Sequence, residues 1–223
     1  MLSMKPRTLV DQSADLIIDA VADGVFLPGD RLVEADIARQ LGISRVPVRE
    51  ALRLLESQGV VISVPYRGMR LMPVTNSVAI GISRVRAALE AMAIRDCITH
   101  ATDAALTEIR ATAASFRNAL VESDEGYRRA DWAFHRALCA ATGNATLVTA
   151  WTAIARQVSV LWSLVDEQSC PALLADQHDA IVDAIDARDT ALAMGRLEYH
   201  LRAATMIDFE QALKQRLALR GAA

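Results

Sequence analysis

The sequence predicts a mainly α-helical protein in two parts: an N-terminal winged helix-turn-helix and a C-terminal all-helical bundle. Three observations carry this expectation. Apolar residues make up 52% of the 223-residue chain and aromatics only 4%, and alanine and leucine favour helix where aromatic and β-branched residues favour strand. A single β-branched run, Val60-Val61-Ile62 with Val64, is the one clear strand signal. It follows two short helical patterns, and beyond Ser77 every periodic segment reads as helix.

The elements follow in order. Thr8 to Asp23 reads as a helix, with Leu9, Leu16, Ile17, Ala20 and Val21 near helical spacing and Gly24 as its stop. Phe26-Leu27-Pro28-Gly29-Asp30 is a turn. Glu34 to Leu41 is a second helix ended by Gly42, and Ser44 reads as the N-cap of a third that runs to Gln58 and stops at Gly59. Pro47 falls in the first turn, where its missing N–H costs little. The β-branched run, the turn Pro65-Tyr66-Arg67-Gly68 and a return over Met69 to Met72 make a hairpin. Pro73 to Ser77 reads as a linker, which sets the expected domains at 1–75 and 76–223. Breaks at 123–126, 142–144, 169–171 and 188–189 divide the remainder into about six helices.

Charge is unevenly spread. The net charge is −3, yet residues 31–75 hold seven Arg or Lys against four Asp or Glu. A basic segment beside an acidic remainder points to a polyanion partner for one region alone. The three cysteines, Cys97, Cys139 and Cys170, are far apart and form no CxxC pair, which argues against a disulfide framework. The N-terminus lacks a long apolar run, and no uncharged stretch is long enough to span a bilayer. The expected compartment is the cytoplasm, with no membrane partner.

Two short helices joined by a Gly turn and followed by a hairpin match a winged helix-turn-helix. The helix after Ser44 must face two ways. Val48, Ala51, Leu52 and Leu55 give it a buried stripe, while Arg45 and Arg49 lie one turn apart on another face near the N-terminus. That is the end that enters the major groove in this motif, and arginine both reads guanine bidentately and neutralises phosphate. Ser44 can contact a phosphate or base while capping the helix. Arg31 adds to the basic segment, and Arg67 and Gly68 sit in the wing turn, where glycine lets the backbone approach DNA closely. The competing reading is a solvated helix face with ordinary surface arginines.

These residues carry a resemblance. Pro28-Gly29-Asp30-Arg31-Leu32-Val33-Glu34, then Leu41-Gly42-Ile43-Ser44-Arg45-Val46-Pro47-Val48-Arg49-Glu50-Ala51-Leu52, then Leu55-Glu56-Ser57-Gln58-Gly59 and Arg67-Gly68 resemble the GntR family of transcription regulators. The resemblance implies that Ser44, Arg45, Pro47 and Arg49 head the recognition helix and that Gly68 lies in the wing tip. Some relatives carry an arginine where this chain has Ala35. The implied partner is double-stranded operator DNA.

All four histidines fall in the C-terminal region. Asp131 and His135 share a helix face at i, i+4, while His178 and His200 come from two further helices, each beside an apolar stripe. A bundle can converge such groups on one interior point, and three imidazoles with a carboxylate suit a first-row divalent ion such as zinc or nickel. Taken singly, each histidine could equally be a hydrogen-bonded core residue. Residues from about 77 to 215 resemble the FCD ligand-binding domain of the FadR subfamily, on Arg86-Ala87-Ala88-Leu89-Glu90, Asp131-x2-Phe134-His135-x2-Leu138, Gly143-Asn144, His178-x2-Ile181-x3-Ile185-x2-Arg188-Asp189 and His200. The resemblance implies that Asp131, His135, His178 and His200 hold a divalent metal, that a small carboxylic acid is the effector, and that Arg86 pairs with its carboxylate. His100 matches no ligand position and reads as surface or packing.

The function expected is therefore a homodimeric transcription regulator, a repressor relieved by effector, and not an enzyme. Two rivals stand beside it: a DNA-binding protein whose helical domain only dimerises, and a metal-dependent hydrolase in which the His/Asp site activates water.

Overall fold

The structure is a computed structural model, and it describes residues 8–122, 126–165 and 171–222. The expected breaks at 123–125 and 169–170, and Cys170, lie outside the described residues. Among the described residues the chain forms ten α-helices and one two-stranded antiparallel sheet. It divides into two compact units: one drawn from residues 1–76, 156–165 and 208–223, the other from 77–155 and 166–207.

The first unit opens with α1 (Leu9–Ala22). Thr8 caps it in a reciprocal box with Asp11, each satisfying an end N–H of the other. Then come α2 (Glu34–Leu41), closed by Gly42 in the left-handed conformation, and α3 (Arg45–Ser57). Both α1 and α2 pack on α3. The α3 stripe Val48, Ala51, Leu52 and Leu55 is fully buried, and each leucine there contributes about 1.5–3 kcal/mol of apolar burial. Ser44 occupies the N-cap position with extended backbone, but its side chain makes no capping hydrogen bond. The expected cap oxygen is therefore not used on the helix.

Strands β1 (Val61–Val64) and β2 (Gly68–Leu71) pair in register from Val61 opposite Leu71 to Val64 opposite Gly68. Residues 29–32 run antiparallel beside β2, with Leu71 N donating to Asp30 O and Leu32 N to Met69 O. Two later elements complete this unit. The end of α7 (Ala145–Trp162) brings in Arg156, which is buried and donates to Asp15 Oδ1 at 2.7 Å and to Gln58 Oε1 at 2.6 Å. The final helix, α10 (Phe209–Ala222), brings in Arg220, which grips the Asp30 carboxylate with two N–H groups.

The elements of the second unit among its described residues are all helical: α4 (Asn76–His100), α5 (Asp103–Glu122), α6 (Gly126–Ala141), the first part of α7, α8 (Pro171–Asp186), α9 (Thr190–Arg202) and a 3-10 turn at Ala203–Thr205. Its core joins Ile94, Ile109, Phe134, Leu138, Trp151 and Ile181 with many alanines. Among the described residues seven α-helices run from Asn76 onward, where the sequence suggested about six. The additional breaks fall at Ala101-Thr102 and at residues 203–208, which contain neither Gly nor Pro. Instead Thr102 caps Ala105 N and Asp208 caps Gln211 N, local side-chain bonds that compete with a continuing helix.

Candidate DNA-reading surface and metal centre

The basic positions of the first unit lie on its surface. Ser44 and Arg45 are exposed at the start of α3, with Pro47 half-buried behind them. Arg49 and Glu50 approach only to 3.8 Å, and Arg49 keeps nearly half its side-chain surface open. Arg31, Arg67 and Gly68 are exposed at the hairpin end of the unit. Gly68 has φ +77, a conformation that disfavours a side chain, while the space a Cβ would take meets nothing closer than the Arg31 guanidinium at 3.6 Å. Conformation, more than crowding, therefore demands glycine there. Beside it Tyr66 also has positive φ, at 62°, and its ring is fully exposed. An exposed aromatic held in an uncommon backbone conformation at a wing tip is a candidate contact that the sequence reading did not single out.

In the second unit four side chains from three helices meet. Asp131 and His135 come from α6, His178 from α8 and His200 from α9. His200 lies in the last turn of α9, which ends at Arg202. His135 Nε2 is 3.0 Å from His200 Nε2, and His178 Nε2 is 3.3 Å from it. Asp131 Oδ1 is 3.2 Å from His178 Nε2 and 3.6 Å from His135 Nε2. One ion bound at about 2.0–2.2 Å in tetrahedral geometry needs donors about 3.3 Å apart. The donor set and its spacing fit a divalent cation.

The neighbouring atoms point the same way. His200 Nδ1 lies 2.9 Å from Gln177 Oε1, a carbonyl oxygen that can only accept. Its Nδ1 therefore carries the proton and leaves Nε2 as a lone pair. His135 Nδ1 lies 2.9 Å from Glu90 Oε2. Two ring nitrogens 3.0 Å apart need a proton or a metal ion between them. Among the described residues His178 has no hydrogen-bond partner at Nδ1; it is held by packing, stacked on Phe134 at 4.2 Å and edge-on to Phe116 at 4.6 Å.

Electrostatics favour the binding forms of Asp131, His178 and His200. Burial alone would raise the Asp131 carboxyl, but His135 and His178 outweigh it and hold it well below the ordinary range. Burial, then His135 and His178, push His200 well down, and burial also lowers His178. For His135, burial works downward but the Glu90 carboxylate overrides it and raises the value. Arg86 is buried, with Nε 2.7 Å from Glu90 Oε1. His100 is exposed at the end of α4, away from any ligand role, and Cys97 and Cys139 are buried free thiols, the first pushed up to about 12 by burial.

The profile of bacterial regulatory proteins of the gntR family matches residues 9–71, and that of the FCD domain matches residues 82–203, more than half of the chain. The chain belongs to the GntR family, in the branch that carries an FCD domain. A probable D-xylose utilization operon transcriptional repressor of Paenarthrobacter nicotinovorans is 30% identical over 197 residues, 88% of this chain and 87% of that protein. A putative L-lactate dehydrogenase operon regulatory protein of Escherichia coli is 28% identical, covering 88% of this chain and 84% of that one. Among solved structures, E. coli McbR/YncC superposes with a TM-score of 0.78 at 22% identity, over 92% of this chain and 99% of that one, which supports the fold. This GntR protein is thus a transcription regulator and not an enzyme. No helix among its described residues is long and apolar enough to cross a membrane.

Two partners of the regulator's histidines escaped the sequence reading. Glu90 appeared there only within a matched string, and Gln177 not at all. Their signals were faint: an i, i+4 spacing from Arg86 and adjacency to His178.

Proposed function

We propose that this regulator is a metal-containing, effector-responsive repressor that acts as a homodimer in the cytoplasm. Residues 1–75 are the DNA-binding domain. Arg45 and Arg49, with Ser44 and Pro47 at the head of α3, read a half-site in the major groove, and Arg31, Arg67 and Gly68 meet the backbone at the wing. Two copies address a pseudo-palindromic operator. Residues 76–223 provide dimerisation and sensing. Repression is supported by the repressor that is 30% identical over most of both chains.

The observation that carries the sensing half is the convergence of Asp131, His135, His178 and His200, whose donor atoms all lie within 4.8 Å of one another. Zinc or nickel suits three imidazoles and a carboxylate. Such an ion would supply open coordination positions to the carboxylate of a small organic acid. Arg86, whose Nε is committed to Glu90, would meet the same carboxylate through its terminal nitrogens. Effector alters DNA affinity to the extent that it binds two dimer geometries unequally.

Elemental analysis of the purified protein, wild type against His178→Ala/His200→Ala, tests the metal. Near one divalent ion per chain, lost in the double variant, is the expected result. No ion in either protein after incubation with zinc or nickel overturns the metal and leaves a helical domain that only dimerises.

A further inference from the structure

We infer that Glu90 is a positioning residue for the metal centre: it holds His135 with the Nε2 lone pair facing the other three donors. The inference rests on the metal reading above, and it concerns a residue to which neither the family resemblance nor the DNA-binding half assigns a role.

Glu90 is completely buried, in the middle of α4. An isolated carboxylate in that setting is strongly disfavoured, so its partners must explain it. Oε1 accepts from Arg86 Nε at 2.7 Å and from Trp151 Nε1 at 2.8 Å. Those two donors come from one turn earlier on α4 and from α7, and together they fix the carboxylate plane. Among the described residues neither Oε2 nor His135 Nδ1 has an aligned hydrogen-bond partner, yet the two atoms lie 2.9 Å apart. At that distance each can satisfy the other. A carboxylate oxygen can only accept, so this contact keeps the His135 proton on Nδ1. The opposite nitrogen, Nε2, is the atom 3.0 Å from His200 Nε2 and 3.6 Å from Asp131 Oδ1.

Arg86 and Trp151 thus hold Glu90, and Glu90 orients His135. A hydrogen-bonded outer carboxylate of this kind fixes the tautomer and ring orientation of a ligating histidine, and losing one weakens metal binding about 10- to 100-fold. Glu90→Gln is the informative substitution. Its carbonyl oxygen still serves Arg86 and Trp151, which places the amide N–H₂ against His135 Nδ1. A donor facing Nδ1 drives the proton to Nε2, the position that must be bare to bind metal.

The test uses full-length protein with zinc alone, measured by competition with a chromogenic chelator, and long-range ¹H–¹⁵N spectra of the metal-free protein to read the His135 tautomer. Expected for Glu90→Gln is a dissociation constant raised about 10- to 100-fold and a switch of the His135 proton from Nδ1 to Nε2. If Glu90→Gln does not fold, Arg86→Met/Glu90→Gln removes the buried charge with its partner and is measured the same way. Zinc affinity within two-fold of wild type with an unchanged tautomer overturns the inference while the metal reading stands. Failure of the wild type itself to bind zinc overturns both, and the two failures are told apart by the wild-type titration.

Discussion

Gln177 Oε1 lies 2.9 Å from His200 Nδ1, and that contact fixes which nitrogen of His200 faces Asp131, His135 and His178. Gln177 is half-buried on α8, one residue before His178. Replacing it with Met keeps the length and removes the acceptor. Gln177→Met is expected to weaken zinc binding about tenfold while leaving the helical circular dichroism signal intact. Equal affinities in the chelator competition would remove Gln177 from the outer shell.

The proposed function divides the arginines of the first unit by role. Arg45, near the start of α3, is placed to read a base, and Arg45→Ala should cost about 1–3 kcal/mol on the preferred duplex with relaxed preference at one base position. Arg67, in the wing turn, is placed for phosphate. Arg67→Ala should weaken binding to all duplexes alike and lower the slope of log affinity against log salt by about one. Fluorescence anisotropy at several salt concentrations, on a duplex selected from a random pool and on its scrambled form, separates the two. A uniform loss for Arg45→Ala would make it a phosphate contact.

What the sequence disclosed follows from how local each signal is. The α3 stripe, the Gly42 stop and the hairpin are set by neighbours within one turn or one strand pair, so Val48, Leu52 and Val61 were legible and are buried. The break at Ala101-Thr102 was not legible, because a threonine cap in a long helical pattern looks like any exposed threonine until Ala105 N is seen to bond to it. The three histidines could be named through the resemblance, whereas Glu90 could not. Its partners Trp151 and His135 lie 61 and 45 positions away, and only packing of α4, α6 and α7 brings them together. The same holds for Arg156, buried against Asp15 and Gln58 across more than 90 positions of sequence.

The Asp30–Arg220 pair should make stability fall at acid pH. Burial tends to raise the Asp30 carboxyl, but the Arg220 guanidinium and the Leu27 N–H outweigh it and hold it below its ordinary value of 3.8. A carboxyl lowered in the folded state adds stability above the unfolded value, and that stability is lost as pH falls through the folded one. Because Arg220 is largely exposed, the pair is worth about 1 kcal/mol at most. Asp30→Asn should therefore be less stable than wild type at pH 7 in urea unfolding, with the gap closing as pH falls below about 4. A gap that does not shrink as pH falls below about 4 would assign it to packing and not to charge.

Metal binding and core packing make separable contributions at His178. The ring stacks on Phe134 and meets Phe116 edge-on, so His178→Ala would lose both the ligand and its packing, leaving a cavity. His178→Leu fills much of that space without a donor atom. Its metal-free stability should lie within about 1.5 kcal/mol of wild type, the usual cost of a swap that roughly conserves volume. Zinc held at a hundred times its dissociation constant should then add about 2.7 kcal/mol to the wild type. His178→Leu, with one donor fewer, should gain much less, and a chelator should abolish the difference between loaded and metal-free wild type. Thermal melts of both proteins with zinc and with chelator read each quantity. An equal zinc-dependent rise in melting temperature in the two proteins would mean that the ion binds elsewhere, and His178 would then be a packed core residue between Phe116 and Phe134.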